Sequence, residues 1–258
     1  MPLRPLPALQ DNYIWLLADE AWRALVVDPG EAAPVLAAAA DLDLVAVLLT
    51  HHHPDHIAGT ATVLERWPRA VVFAPQDERI PGPCQRVADG ERIEIEPWMF
   101  EVIAVPGHTR SHVAYYCPEA GGESLLFCGD TLFSLGCGRL FEGTPAQMRA
   151  SLSRLAALPA DTRVCCGHEY TEANARFALA VEPGNRELQD HADAVRELRA
   201  NNEPSLPSTL ELERACNPFL RIDSPEIRAS LAAHLGRDTE DAVDAFAALR
   251  AWKDGFRG

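Results

Sequence analysis

The chain has 258 residues, 47% of them hydrophobic and 24% charged, which is enough apolar material for a large globular core. A formal net charge of −15 excludes nucleic acid and anionic membrane surfaces as main partners, because both require a basic face. No apolar run reaches the roughly 18 residues of a membrane span, and residues 1–20 lack a signal-peptide pattern, so a cytoplasmic setting is expected.

Residues 1–30 alternate strand-like runs with turns: 14–18 and 24–27 read as strands, and Asp28-Pro29-Gly30 as a turn. Residues 34–40 read as a helix packed on a sheet. Residues 44–49 form an apolar stretch rich in strand formers that empties into Thr50-His51-His52-His53-Pro54-Asp55-His56. Side chains two apart on extended backbone point the same way, so His51 and His53 share one direction and His52 takes another. Pro54 suits a first helical position, and 57–66 continues as a predicted helix with Asp55 and His56 on its first turn.

Further along, 71–74 reads as a strand, 75–90 as a loop, and 92–105 as strands broken at Pro97, ending at Pro106-Gly107-His108-Thr109. Strands are also predicted at 113–117, at 125–128 ahead of Gly129-Asp130-Thr131, and at 163–166 ahead of Gly167-His168-Glu169. After Tyr170 the periodicity becomes helical, at 172–181, 187–200, 225–235 and 240–253. Ser208-Thr209-Leu210-Glu211 fits a capping box, and Ser224 before Pro225 an N-cap. A boundary near 168 divides 1–168 from 169–258. Seven cysteines, an odd number without C-x-x-C spacing, argue against disulfides and against a thiolate zinc site; buried reduced thiols are expected.

Histidine or aspartate thus follows a strand and a small residue several times over. His51, His53, Asp55, His56, His108, Asp130 and His168 are the candidate ligands, about what two metals need if one carboxylate bridges. His51, His53 and His108 are assigned to one ion, Asp55, His56 and His168 to the other, and Asp130 to both. Such a set suits zinc, iron or manganese, and ligand type alone does not choose among them. Two ions about 3.5–4 Å apart turn a shared water into hydroxide near neutral pH, which predicts hydrolysis of a carbonyl or phosphoryl centre. Asp55 and Asp130 are the catalytic carboxylates beside that bridging hydroxide. No G-x-S-x-G elbow is present. His52 and His112 are expected to pack beside the ligands, and His191 and His234 to be surface or core.

The stretches T-H-H-H-P-D-H, P-G-H-T, G-D-T and G-H-E-Y resemble the metallo-β-lactamase superfamily. Asp11-Asn12-Tyr13, Thr131-Leu132-Phe133, Gly136-Cys137-Gly138-Arg139, Pro207-Ser208-Thr209-Leu210 and Asn217-Pro218-Phe219 narrow the resemblance to the glyoxalase II, or hydroxyacylglutathione hydrolase, family. The resemblance implies an α/β fold, a four-layer αββα sandwich carrying the metals, with a C-terminal helical domain that helps to bind glutathione. It implies hydrolysis of S-D-lactoylglutathione to D-lactate and glutathione, the second step of methylglyoxal detoxification. A monomer is expected. The resemblance also implies glutathione contacts from Arg139, Tyr170, Arg250 and Lys253. Phe141 departs from the family's frequent tyrosine, and Arg139 from its common lysine. Residues 245–258 carry Arg250, Lys253 and Arg257 against Asp254 alone, a local +2 suited to an anion. A persulfide dioxygenase or lactonase on the same scaffold is the alternative reading. A metal- or redox-sensing protein using Cys165-Cys166 is the reading from another class.

Overall fold

The structure, a computed structural model, describes residues 3–256, so Arg257 lies outside the described residues. The chain forms two compact units, one of Met1–Ala104, Ser111–Gly129 and Cys165–Glu169, the other of Val105–Arg110, Asp130–Val164 and Tyr170–Gly258.

The first unit holds β1 (Arg4–Ala8), β2 (Asn12–Ala18), β3 (Arg23–Val27), α1 (Ala32–Ala38), β4 (Asp43–Leu48), α2 (Pro54–Ile57), α3 (Thr60–Arg66), β5 (Val71–Pro75) and β6 (Gln85–Val87). Its first sheet runs in the order β1-β2-β3-β4-β5-β6. Short turns make β1–β2 and β2–β3 antiparallel, and the longer returns make β3 through β6 parallel. Val35 of α1, Ala39 just after it and Val63 of α3 bury against Leu6, Ile14, Leu16, Val26 and Leu44, so the helices cover one face. The second sheet adds β7 (Arg92–Ile95), β8 (Trp98–Ala104), β9 (Val113–Cys117) and β10 (Leu125–Gly129), antiparallel neighbours, with Cys165 and Cys166 beside β10. Buried polar tips tie this sheet to the first: Tyr115 Oη donates to the Leu49 carbonyl at 2.9 Å and Trp15 Nε1 to the Cys166 carbonyl at 2.8 Å.

Two expectations change here. Residues 75–90 contain β6, whose three residues among prolines are too short to show a period. The helix expected at 57–66 is broken between α2 and α3 at Gly59. Its N–H donates to the Pro29 carbonyl at 2.9 Å, and a Cβ there would collide with Pro29 and the backbone of Glu31 and Ala32.

The second unit holds β11 (Leu132–Phe133), β12 (Gly136–Cys137), α4 (Pro145–Leu155), β13 (Arg163–Cys166, of which Arg163 and Val164 belong here), α5 (Thr171–Val181), α6 (Arg186–Ala200), β14 (Ser208–Thr209), α7 (Leu210–Cys216), α8 (Pro225–Leu235) and α9 (Ala242–Gly255). Ala175 and Ala178 of α5, Leu188 and Ala192 of α6, Cys216 and Leu135 form one of its cores. α4, unanticipated above, opens with a capping box: Thr144 accepts from the Gln147 N–H, and the Gln147 side chain accepts from the Thr144 N–H. At α7 the cap is Thr209, which accepts from the Leu212 N–H at 3.3 Å, whereas Ser208 turns inward to donate to Glu213. Ser224 holds the N-cap position of α8 but donates its hydroxyl to Glu182 at 2.7 Å instead of capping. The seven cysteines are all free thiols; six are buried and Cys84 is half-buried.

Candidate metal centre

In the first unit the parallel strands β3 and β4 end side by side. Asp28, just past β3, accepts from the Thr50 N–H at 2.7 Å and from the Thr50 hydroxyl at 2.6 Å. This fixes the start of the histidine run. Because the Thr50 hydroxyl proton goes to Asp28, its oxygen accepts from His51 Nδ1, 3.0 Å away, which leaves Nε2 as the lone-pair nitrogen of His51. That Nε2 faces His53 Nδ1 at 3.0 Å. Two ring nitrogens so placed call for a proton or a cation close by. His51 and His53 therefore share a direction as expected, and His52 points to Asp77, Nδ1 to Oδ2 3.3 Å. His112 stacks on His51 with ring centroids 4.6 Å apart and a 15° interplanar angle.

The same logic repeats at the neighbouring cluster. His56 Nδ1 meets Asp28 Oδ2 at 3.0 Å, and His168 Nδ1 meets Asp11 Oδ1 at 2.8 Å. Each carboxylate takes the Nδ1 proton and turns Nε2 inward. The two Nε2 atoms lie 3.4 and 3.5 Å from Asp55 Oδ2, and Asn12 Nδ2 donates to that oxygen at 3.1 Å. Asp55, His56 and His168 thus converge three donor atoms within 4.8 Å of one another. Gly129, at φ +47, ends β10 where a Cβ would strike the Thr50 side chain and the His112 ring, so these strand ends can close together.

In the second unit His108 Nδ1 meets the Arg139 carbonyl at 2.9 Å, and its Nε2 lies 3.4 Å from Asp130 Oδ2. His108 and Asp130 are both buried. A histidine whose outer nitrogen is held by a carboxylate or carbonyl, with the inner one beside a carboxylate, is how proteins present imidazole to a metal. The residues present therefore fit a divalent ion.

The expected substrate residues all lie in the second unit. Phe141 covers the His108 ring edge-on at 5.2 Å, and Tyr170 meets Phe133 at the same separation. Arg139 is largely exposed, whereas Arg250 is buried; its Nη1 donates to the Cys137 carbonyl at 2.7 Å and its Nη2 to Asp254 at 2.9 Å. Lys253 Nζ donates to the Ala173 carbonyl at 3.1 Å above the Phe177 ring. Burial, then the nearby Arg250 and Arg176, bring its pKa down to about 8. Sequence reasoning gave no role to Asp11, Asn12, Asp28 or Thr50, which orient the candidate ligands, or to Asp77, which meets His52. The available signal was an acidic residue at a strand end, as in Asp28-Pro29-Gly30.

A family model described as metallo-beta-lactamase superfamily matches residues 10–168, and one described as hydroxyacylglutathione hydrolase C-terminus matches residues 169–256. Hydroxyacylglutathione hydrolases from Stenotrophomonas maltophilia (strain R551-3) and Xanthomonas euvesicatoria pv. vesicatoria (strain 85-10) are 53% and 54% identical to the chain, each over 100% of both chains. The crystal structure of the BLEG-1 B3 metallo-beta-lactamase superposes with a TM-score of 0.64 at 24% identity, over 85% of this chain and 98% of that one, a likeness of fold. The α/β sandwich with helices beyond residue 169 is therefore a metallo-β-lactamase fold, and the chain belongs to the hydroxyacylglutathione hydrolase family.

Proposed function

We propose that the chain hydrolyses S-2-hydroxyacylglutathione, S-D-lactoylglutathione above all, to the hydroxy acid and glutathione, at a centre of two divalent ions. The convergence of His56 Nε2 and His168 Nε2 on Asp55 Oδ2, with both outer nitrogens held by carboxylates, is the observation that carries this reading. Asp55, His56 and His168 would hold one ion, His51, His53 and His108 the other, and Asp130 both. Zinc is the first choice, and iron and manganese suit the same donors. When bound, such ions supply hydroxide at neutral pH and polarise a carbonyl.

The protein's own part is positional. Asp11, Asp28, Thr50 and the Arg139 carbonyl hold the ligand rings in one tautomer and one orientation, and Asn12 holds Asp55. Arg139, Tyr170, Arg250 and Lys253 are proposed to bind the glutathione moiety, which is net negative at neutral pH. A thioester suits such a site, because a thiol with an ordinary pKa near 8.5 leaves without a strong general acid. The two family models meet between residues 168 and 169, which supports a catalytic domain of 1–168 and a substrate-binding domain of 169–258. No helix among the described residues is long and apolar enough to cross a membrane. A cytoplasmic monomer completes the proposal.

Steady-state hydrolysis of S-D-lactoylglutathione, beside metal analysis of the same sample, tests it. Hydrolysis lost on chelation and restored near two ions per chain is expected. No hydrolysis by metal-loaded protein overturns the substrate, and full activity at one ion overturns the dinuclear centre.

A further inference from the structure

In the second unit the carboxylate of Asp254 meets both Arg250 and Arg139. Arg250 is buried, its side chain 7% accessible, so its guanidinium needs acceptors from the protein. The Cys137 carbonyl takes Nη1, and Asp254, one helical turn further along α9, takes Nη2 at 2.9 Å. The same Asp254 oxygen lies 3.5 Å from Nε of Arg139. Arg139 comes from the segment after β12, far away in the chain, so the contact is more than a helical i,i+4 pair. Arg139 is 64% accessible and Asp254 42%, which makes their ion pair open to solvent and weak. A carboxylate lodged between two guanidiniums occupies the place an incoming carboxylate would take.

Building on the glutathione reading, we propose that Asp254 is a specificity-determining residue. It is an internal carboxylate that closes the Arg139–Arg250 pair in the empty enzyme and yields Arg139 to a carboxylate of the glutathione moiety when substrate binds. It thereby moderates the preference for anionic thioesters: neutral ones bind without opening the pair, whereas anionic ones must first displace a carboxylate already in place. Arg250 keeps its Cys137 anchor throughout, so the exchange moves an exposed side chain and leaves the helix in place.

The test uses the metal-loaded full chain and two thioesters of the same hydroxy acid, one of glutathione and one of N-acetylcysteamine, which has no carboxylate. The quantity read is the ratio of their KM values. In Asp254→Asn the competing charge is gone while the shape is kept, so the preference for the glutathione thioester should strengthen by about two- to fivefold, the scale of an exposed ion pair. Asp254→Ser should behave alike, and Asp254→Glu, which restores a carboxylate, should return the ratio toward wild type. A ratio that does not strengthen in either neutral variant overturns the exchange alone. A wild-type enzyme with no preference for the glutathione thioester overturns the glutathione reading, and the exchange with it.

Discussion

Asp130 Oδ2 stands 3.4 Å from His108 Nε2 and is the only carboxylate proposed to touch both ions. Asp130→Asn keeps the shape and removes the charge, so it should lose the second ion and most of the turnover with an unchanged circular dichroism spectrum. Retention of both ions at near-full activity would show the ligand assignment to be wrong. Lys253 gives a pH dependence with a definite sign. Burial disfavours its ammonium form and brings its pKa to about 8, so the cation proposed to bind the anionic substrate is lost as pH rises through 8. KM for the glutathione thioester should rise through that range, and Lys253→Ala, expected to raise KM about ten- to hundredfold at pH 7, should abolish the rise. For stability the sign is opposite: the penalty of burying the ammonium is present below the folded pKa and is relieved between about 8 and the ordinary lysine value of 10.5. At this scale the candidate ligands were legible because they sit at short fixed spacings after strands. Asp28 and Asp11 were not, because they act on histidines 28 and 157 residues away in the chain.

Between residue and molecule, the β11–β12 hairpin shows how an element can be held by distant side chains. Leu135 sits at its turn with φ 58, a left-handed conformation for a residue with a Cβ. Its N–H donates to buried Glu213 at 2.8 Å, and Asn217 Nδ2 donates to the carbonyls of Phe133 and Gly136 at 3.0 Å each. Asn217→Ala would strip both carbonyls of this donor, and a loss of about 2–4 kcal/mol in urea unfolding is expected. An unchanged unfolding midpoint would mean that water or another group replaces the amide. Arg139 follows this hairpin directly, so the variant should also raise KM for the glutathione thioester. Two-residue strands offer no period to read, which is why the hairpin escaped the sequence. α4 is different: Thr144, Pro145 and Gln147 spell its capping box in the chain, and the signal was available.

For the whole molecule, a net charge of −15 meets a substrate that is itself an anion. Average repulsion opposes encounter while the few local cations favour capture, so added salt should weaken the local term in KM more than it helps the approach. Metal removal should lower the unfolding temperature and make it depend on free metal concentration, because ions held by folded ligands stabilise only the folded chain. A melting temperature indifferent to chelator would count against the centre. The sequence contains one lysine, and it is Lys253. With a pKa of about 8 this amine is about half unprotonated at that pH, when an ordinary surface lysine would remain almost wholly charged. Acylating dyes and amine-directed crosslinkers therefore have a single side chain to find. A reagent titrated against the native enzyme becomes an occupancy meter: labelling should run to one dye per side-chain amine in the free protein and slow in proportion as glutathione takes the site proposed for it.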